Sequence, residues 1–370
     1  MVQANGTEAW LVVRYQEARA ALNHPDLLKD PPHAASEPQT QDPGTPASSH
    51  PPFGRRTLIA DPPDHDWLRK PAAKTFTPQR IQALRPRVQE IADELLDALP
   101  ATGRADLIDT FAVPLSMQVI CEILGVPFLD QERFRAWSHQ IVSPDAKDDA
   151  PTKTDELTLY LHTLVQEKRA RPGEDLFSKL IRISDEDEDT LSTDDLAAAA
   201  LTLLLAGHET TANLIATGTY TLLRHPDQLK LLRSDWSLID NAVEEMLRYD
   251  GPAEGTTVRY AARDVELGGT VVPADGTEIH VMLAAADRDP ERFEAPDNFD
   301  VRRNTGGHIA FGHGIHFCLG AALARLEARV ALHALLERFP ELKLDADPTV
   351  LTWRPGLLIR GLHHLPVRYS

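Results

Sequence analysis

Phe311-Gly312-His313-Gly314-Ile315-His316-Phe317-Cys318-Leu319-Gly320 is the stretch on which the reading of this 370-residue chain turns. Glycines permit a tight turn and let the backbone come close to a flat ligand. Leu319, Leu323, Leu326 and Val330 then fall on one helical stripe, which predicts a helix from about Leu319 to Arg338 with Cys318 at its N-terminus. Free N–H groups and the helix dipole at that position favour a thiolate, and a thiolate there can bind a metal. A lone cysteine beside a Gly-rich turn is more simply a buried thiol. The whole ten-residue pattern argues for a ligand.

Two further patterns lie upstream. Ala206-Gly207-His208-Glu209-Thr210-Thr211 falls inside an apolar-periodic run that opens at Ser192, with Asp195 three residues on as a relative of the capping box, and ends at about Arg224 before His225-Pro226. Gly207 thins this predicted helix and leaves room for a small ligand, and Thr210 can bond back to the carbonyl of Ala206. An acid beside a hydroxyl, Glu209 with Thr210, makes a proton relay, although periodicity alone reads it as a polar interruption in a core helix. Glu245-Met246-Leu247-Arg248 puts an acid and a base on one helix face at i and i+3. On its own that is a surface pair worth well under ~1 kcal/mol.

Composition bounds the rest. The net charge is −18, which counts against nucleic acid and anionic membranes as partners. Two cysteines, Cys121 and Cys318, are too few for a disulfide framework. The N-terminus lacks the pattern of a signal peptide, and the longest apolar run, from Leu196 to Gly207, is too short to span a bilayer, so a cytoplasmic location is expected. The 42% apolar content with only 6% aromatics suits packed helices. Strands are expected at 8–14, 256–261, 265–267 and 278–283, helices at 15–23, 79–98, 111–125, 154–170 and 237–249, and a small β-rich end at 340–370. Residues 30–64 and 287–309 read as long loops. The fold class is mainly α with a minor β region, in a single domain over 1–370.

The ten-residue pattern, Phe-Gly-x-Gly-x-His-x-Cys-x-Gly, resembles the haem-binding loop of the cytochrome P-450 family, in which a cysteine thiolate ligates the haem iron. The resemblance covers nearly the whole chain and is nearest to soluble actinobacterial enzymes that hydroxylate macrolides. It implies a long central helix over the haem and a Cys-ligand loop before a C-terminal helix. Cys318 is then the iron ligand, within a loop that includes Phe311, Gly312 and Gly320, and His316 contacts a haem propionate. His65 and Arg69, after Asp61-Pro62-Pro63-Asp64, together with Arg259, match further propionate contacts, and cationic donors suit two carboxylates entering a protein interior. Ala206 and Gly207 border the haem, and Glu209 and Thr210 deliver protons to bound dioxygen. Glu245 and Arg248 become a structural pair, joined by a further arginine for which Arg292 and Arg303 are both candidates. The family has several dozen residues before the strand that contains Trp10, so its first helix and strand are expected to be missing here. Pro71 stands where the family has an apolar residue and is expected to kink or end its helix.

A monooxygenase of haem b and dioxygen follows, inserting one oxygen atom into a C–H bond. The electrons come ultimately from NAD(P)H by way of ferredoxin reductase and ferredoxin, because the chain has no flavin or iron–sulfur segment. Arg325 and Arg329 are the expected docking cations. Pocket walls are expected at Ala206–Thr210, at Ala253–Thr257 including Thr256, and at Leu357 and Leu358, roofed by 31–57 and 137–165. Their small and apolar character predicts a bulky lipophilic substrate, a polyketide macrolide or steroid-like compound. Two other readings compete: a non-catalytic helper protein of a biosynthetic enzyme, and a zinc site built from His308, His313, His316 and Cys318.

Overall fold

The computed structural model describes residues 1, 8–29, 57–127, 137, 150–187 and 190–370, so the Pro-rich part of the expected roof lies outside the described residues. The chain runs β1 (Ala9–Val12), α1 (Tyr15–Asn23), β2 (Leu27–Leu28), α2 (Asp64–Thr75), α3 (Pro78–Gln82), α4 (Arg85–Asp97), β3 (Gly103–Asp106) and a π turn (Ile108–Ala112). There follow α5 (Val113–Leu124), α6 (Ala150–Ala170), α7 (Leu176–Asp185), α8 (Thr193–Arg224), α9 (Pro226–Ser234) and α10 (Ile239–Asp250). The C-terminal third holds β4 (Tyr260–Ala261), β5 (Val265–Leu267), β6 (Thr270–Val272), β7 (Glu278–Val281), α11 (Leu283–Ala286), α12 (Ala321–Arg338), β8 (Lys343–Leu344) and β9 (Pro366–Tyr369). The architecture is mainly α with small sheets, as the sequence predicts.

Helix α8 is the axis of the molecule. Ser192 caps it: its hydroxyl accepts from the N–H of Asp195 at 3.1 Å, and the Asp195 carboxylate accepts from the N–H of Ser192 at 3.2 Å. Two orphan N–H groups are thereby satisfied, which fixes where the helix begins. Its 32 residues, about 48 Å at the α-helical rise, pack against α5, α6, α10 and α12. At Gly207 and Gly218 neighbouring helices come close. A Cβ on Gly207 would lie 2.9 Å from Ile120 Cδ1 of α5, and one on Gly218 would lie 2.8 Å from Met246 Sδ of α10. Gly207 therefore admits a neighbouring helix, which corrects the expectation that it opens room for a ligand.

A second, smaller core lies under the β region. Strand β1 pairs in parallel with β7, β2 pairs antiparallel with β4, and Tyr15, Leu27, Ile279 and Phe293 pack together beneath them. At the other end of the chain β9 lies between β3 and β8 in a three-stranded antiparallel sheet.

Several boundaries differ from expectation. The helix predicted over 79–98 breaks at Ala83–Leu84 into α3 and α4, and the strand predicted over 278–283 turns helical from Leu283. α12 starts at Ala321, after a short turn at Cys318 to Gly320. Helix α2 continues through Pro71 to Thr75 and does not end there. Pro71 is buried, and its carbonyl accepts from the hydroxyl of Thr75 at 2.9 Å. No helix of the described residues is long and apolar enough to cross a membrane.

Candidate functional site

The Cys318 loop folds as a tight double turn. Gly312 and Gly314 both take φ of +74°, a conformation that disfavours any side chain. A Cβ on Gly314 would also lie 2.8 Å from the carbonyl oxygen of Leu22, so this glycine seats the loop on the end of α1. The N–H of Gly312 donates to Ile309 at 2.7 Å and that of Cys318 to Phe311 at 2.9 Å. A side chain on Gly320 would meet the Cys318 sulfur at 3.9 Å. Cys318 has accessible surface, yet protein crowds its sulfur, and this burial pushes the thiol up from its ordinary value. The N–H groups of Gly320 and Ala321 and the charges of Arg69 and Arg325 pull the other way without prevailing.

Beside the loop several basic side chains cluster. His65 is buried on α2, and its ring stands 4.4 Å from that of His316. Arg69, one turn further on α2, donates to the carbonyl of Phe317. Its placement survives Pro71. Arg259 is buried and donates to Leu27 at 2.9 Å, while Lys29 donates to the carbonyl of Thr257 at 3.2 Å. Burial, with Arg259 beside it, lowers Lys29 to about 7, and burial lowers Arg259 to about 10. His316 is brought down to about 3 by burial and by Lys29, His65, Arg259 and Arg69 around it. His65 Nε2, His316 Nε2 and Arg259 Nε are buried without a hydrogen-bond partner among the described residues. Buried polar atoms without a partner are costly, so three of them on neighbouring side chains beside the loop fit a polar ligand. Two carboxylates match this donor set. Lys29 escaped sequence reading because nothing in its local pattern separates it from a surface lysine.

Behind the loop, the Glu245–Arg248 pair is fully buried, contrary to the surface pair that its spacing alone suggests. Arg248 binds Glu245 through Nε at 2.7 Å and Nη2 at 2.9 Å. Arg303 completes the triad, with Nε 3.1 Å from Glu245 Oε1, and its other nitrogens hold the carbonyls of Glu294, Ala295 and Asn298. Arg292 takes no part. It donates to the Gly306 carbonyl and lies over the rings of Phe293 and Tyr15. The neighbouring Glu244 binds Arg325 at 2.6 and 2.8 Å and His308 at 2.8 Å. Arg325 stacks 4.4 Å above Phe311, and Arg329 pairs with Asp240 at 2.6 Å. Both arginines expected to dock a partner thus have ion-pair partners within the chain and keep part of their surface exposed.

The zinc alternative fails on geometry. His308 is held by Glu244, His313 lies 3.4 Å from Arg19, and His316 faces His65. Among the described residues the metal-ligand types that converge are Asp106, Asp109 and His364, far along the chain from Cys318.

On α8, the hydroxyl of Thr210 donates to the Ala206 carbonyl at 2.7 Å, as expected. Glu209 is buried and ion-paired with Arg354, a partner 145 residues away that local sequence reading missed. The expected walls after α10 and near the C-terminus do meet. The N–H of Glu254 donates to Leu358 at 3.0 Å, Ala253 bridges Ile359, and Thr256 is held by Val281 at 3.0 Å. Leu358 itself is exposed, and Leu357 is half-buried.

The sequence profile described as Cytochrome P450 matches residues 146–360. The chain is also 52% identical over 366 residues to cytochrome P450 monooxygenase PikC of Streptomyces venezuelae, covering 98% of this chain and 86% of that protein. This chain belongs to the cytochrome P450 family. It is 46% identical to 6-deoxyerythronolide B hydroxylase of Saccharopolyspora erythraea over 98% of its own length and 91% of that enzyme. Its fold superimposes on the ligand-free P450 monooxygenase TamI with a TM-score of 0.88 at 44% identity, covering 99% of this chain and 85% of that one. As a cytochrome P450 monooxygenase it uses haem and dioxygen.

Proposed function

We propose that this P450 inserts one oxygen atom into a C–H bond of a bulky lipophilic molecule of the polyketide macrolide or steroid-like class, with Cys318 as the thiolate ligand of its haem. The observation that carries the reading is the set of orphaned buried nitrogens of His65, His316 and Arg259 beside the Cys318 loop. The substrate class rests on the names of the macrolide-tailoring relatives and on the small side chains of the expected walls. We assign Ala206, Ala253, Thr256, Leu357 and Leu358 to those walls. Electrons come from NAD(P)H through ferredoxin reductase and a ferredoxin.

When bound, the haem supplies dioxygen activation, and a thiolate ligand favours O–O cleavage. The residues of this chain do the rest. Cys318 would give the thiolate, and the N–H groups of Gly320 and Ala321 counter part of its burial. Phe311, Gly312 and Gly320 hold the loop in shape. His65, His316, Arg69, Arg259 and Lys29 hold the carboxylates and thereby fix orientation. Thr210 commits its hydroxyl proton to Ala206, so its oxygen is free to accept a hydrogen bond, and Glu209 beside it is the acid that would supply protons to this side of the haem.

The test is the reduced carbon-monoxide difference spectrum of the holoprotein, followed by titration with 6-deoxyerythronolide B and with a steroid. A thiolate-type Soret band that is lost in Cys318→His, and a substrate-induced spectral shift, are the expected results. A histidine-type band in the unmodified protein overturns the reading. A thiolate band without turnover by a surrogate ferredoxin favours a helper role.

A further inference from the structure

Asp287 stands between the buried Glu245–Arg248–Arg303 triad and the Cys318 loop, and it touches both. It directly follows α11, is 1% exposed, and closes its N–H onto the carbonyl of Leu283 at 2.9 Å. Its own carbonyl accepts from Nη1 of Arg248 at 3.1 Å. Its carboxyl oxygen Oδ1 accepts from the N–H of Ile309 at 2.8 Å. Ile309 is buried and roots the loop. Its carbonyl takes the N–H of Gly312 at 2.7 Å, and the carbonyl of Phe311 takes that of Cys318 at 2.9 Å. Hydrogen bonds thus lead from Glu245 through Arg248 and Asp287 to the turn that carries Cys318. The second oxygen, Oδ2, is buried with no hydrogen-bond partner among the described residues. Charged groups face this carboxyl from each side: Arg248 from α10, Arg292 from the turn after α11, and His308 from the segment before the loop. Behind them stand Glu245, on Arg248, and Glu244, on His308. Burial pushes the carboxyl up to about 7, and the Ile309 N–H and the three charges only moderate the rise.

We propose that Asp287 is a positioning residue that anchors the Cys318 loop to the Glu245–Arg248–Arg303 triad through the N–H of Ile309. The proposal rests on the reading of Cys318 as haem ligand given above. Ionisation tightens this anchor, because a carboxylate accepts from an N–H more strongly than a neutral acid does. The hold on the loop therefore strengthens as Asp287 loses its proton. Global stability runs the other way. A carboxyl raised above 3.8 favours the folded chain while it keeps its proton, so its contribution is fully present below 3.8 and is lost as pH rises to about 7. Loop anchoring and fold stability thus respond to pH in opposite directions, and that contrast separates a positioning role from a merely structural one.

The experiment compares the holoprotein with Asp287→Asn, which keeps an acceptor oxygen but does not titrate, and with Asp287→Leu, which removes the acceptor. Amide hydrogen exchange of residues 309–318, corrected for its intrinsic pH dependence, is followed on both sides of pH 7, together with the thiolate-type share of the reduced carbon-monoxide spectrum. In the unmodified protein loop exchange should slow as pH rises through about 7, and Asp287→Asn should abolish that step. Asp287→Leu should speed loop exchange on the order of tenfold at every pH, the effect of leaving a buried N–H without its acceptor, and should lower the thiolate-type share. Loop exchange in Asp287→Leu equal to that of the unmodified protein overturns the proposal. A step near pH 7 that survives in Asp287→Asn overturns it as well, and this comparison decides alone if Asp287→Leu does not fold. Failure of the haem-thiolate reading shows separately, as a histidine-type band in the unmodified protein.

Discussion

Glu245 carries two guanidiniums on one carboxylate in the interior of the protein, and each guanidinium also holds backbone carbonyls of the segment between α11 and the Cys318 loop. Such a site tolerates the loss of a partner badly, because the charges left behind are already desolvated. Glu245→Gln is expected to cost ~3–5 kcal/mol in denaturant unfolding of the holoprotein, the range for breaking a buried pair. A loss under ~1 kcal/mol would mean that the carbonyls alone hold Arg248 and Arg303. The residue scale is also where sequence reading divides most clearly. The Cys318 loop, the i,i+3 pair and the Thr210 back-bond are local, and their spacing displays them. Arg303 and Arg292 stand in the same kind of stretch, and only the path of the 287–309 loop decides that Arg303 meets Glu245. Arg354 and Lys29 have no local pattern at all, since their partners Glu209 and Thr257 lie far along the chain.

Helices were legible wherever an apolar stripe ran long enough, as in α8 with its Ser192–Asp195 cap. The short α7 and α9 escaped notice, and the break between α3 and α4 did too, because the apolar spacing continues across Ala83–Leu84. The sequence predicts that Pro71 kinks or ends α2, and the helix does not end there. The ring is instead buried within the helix, and packing there outweighs one absent hydrogen bond. The sequence reads Gly207 as space for a ligand, and in the structure Ile120 of α5 fills that space. That reversal is measurable. Alanine in place of a helical glycine gains ~1 kcal/mol from propensity. The clash with Ile120 Cδ1 should cost ~1–3 kcal/mol, so Gly207→Ala alone should be neutral to destabilising. In an Ile120→Val background, which removes Cδ1, the same change should become stabilising in thermal unfolding. Equal effects in both backgrounds would show that α5 does not limit residue 207.

For the molecule as a whole, Glu244 ties three parts together: α10, which bears it, α12 through Arg325, and the segment before the Cys318 loop through His308. Burial alone would raise this carboxyl, but the hydrogen bonds and charges of His308 and Arg325 prevail and hold it at about 2, against an ordinary 4.5. A depressed carboxyl stabilises the fold above its unfolded value and ceases to do so as pH falls through the folded one. Acid titration of haem retention should therefore show a stability loss between about 4.5 and about 2. Glu244→Gln should flatten that dependence, and an unchanged acid profile would remove Glu244 from the account.

The three-stranded sheet has a consequence for how the molecule avoids aggregation. Its middle strand is β9, residues Pro366–Tyr369, which fills the space between β3 and β8. With β9 displaced, β3 and β8 would each offer an unpaired edge to any passing strand.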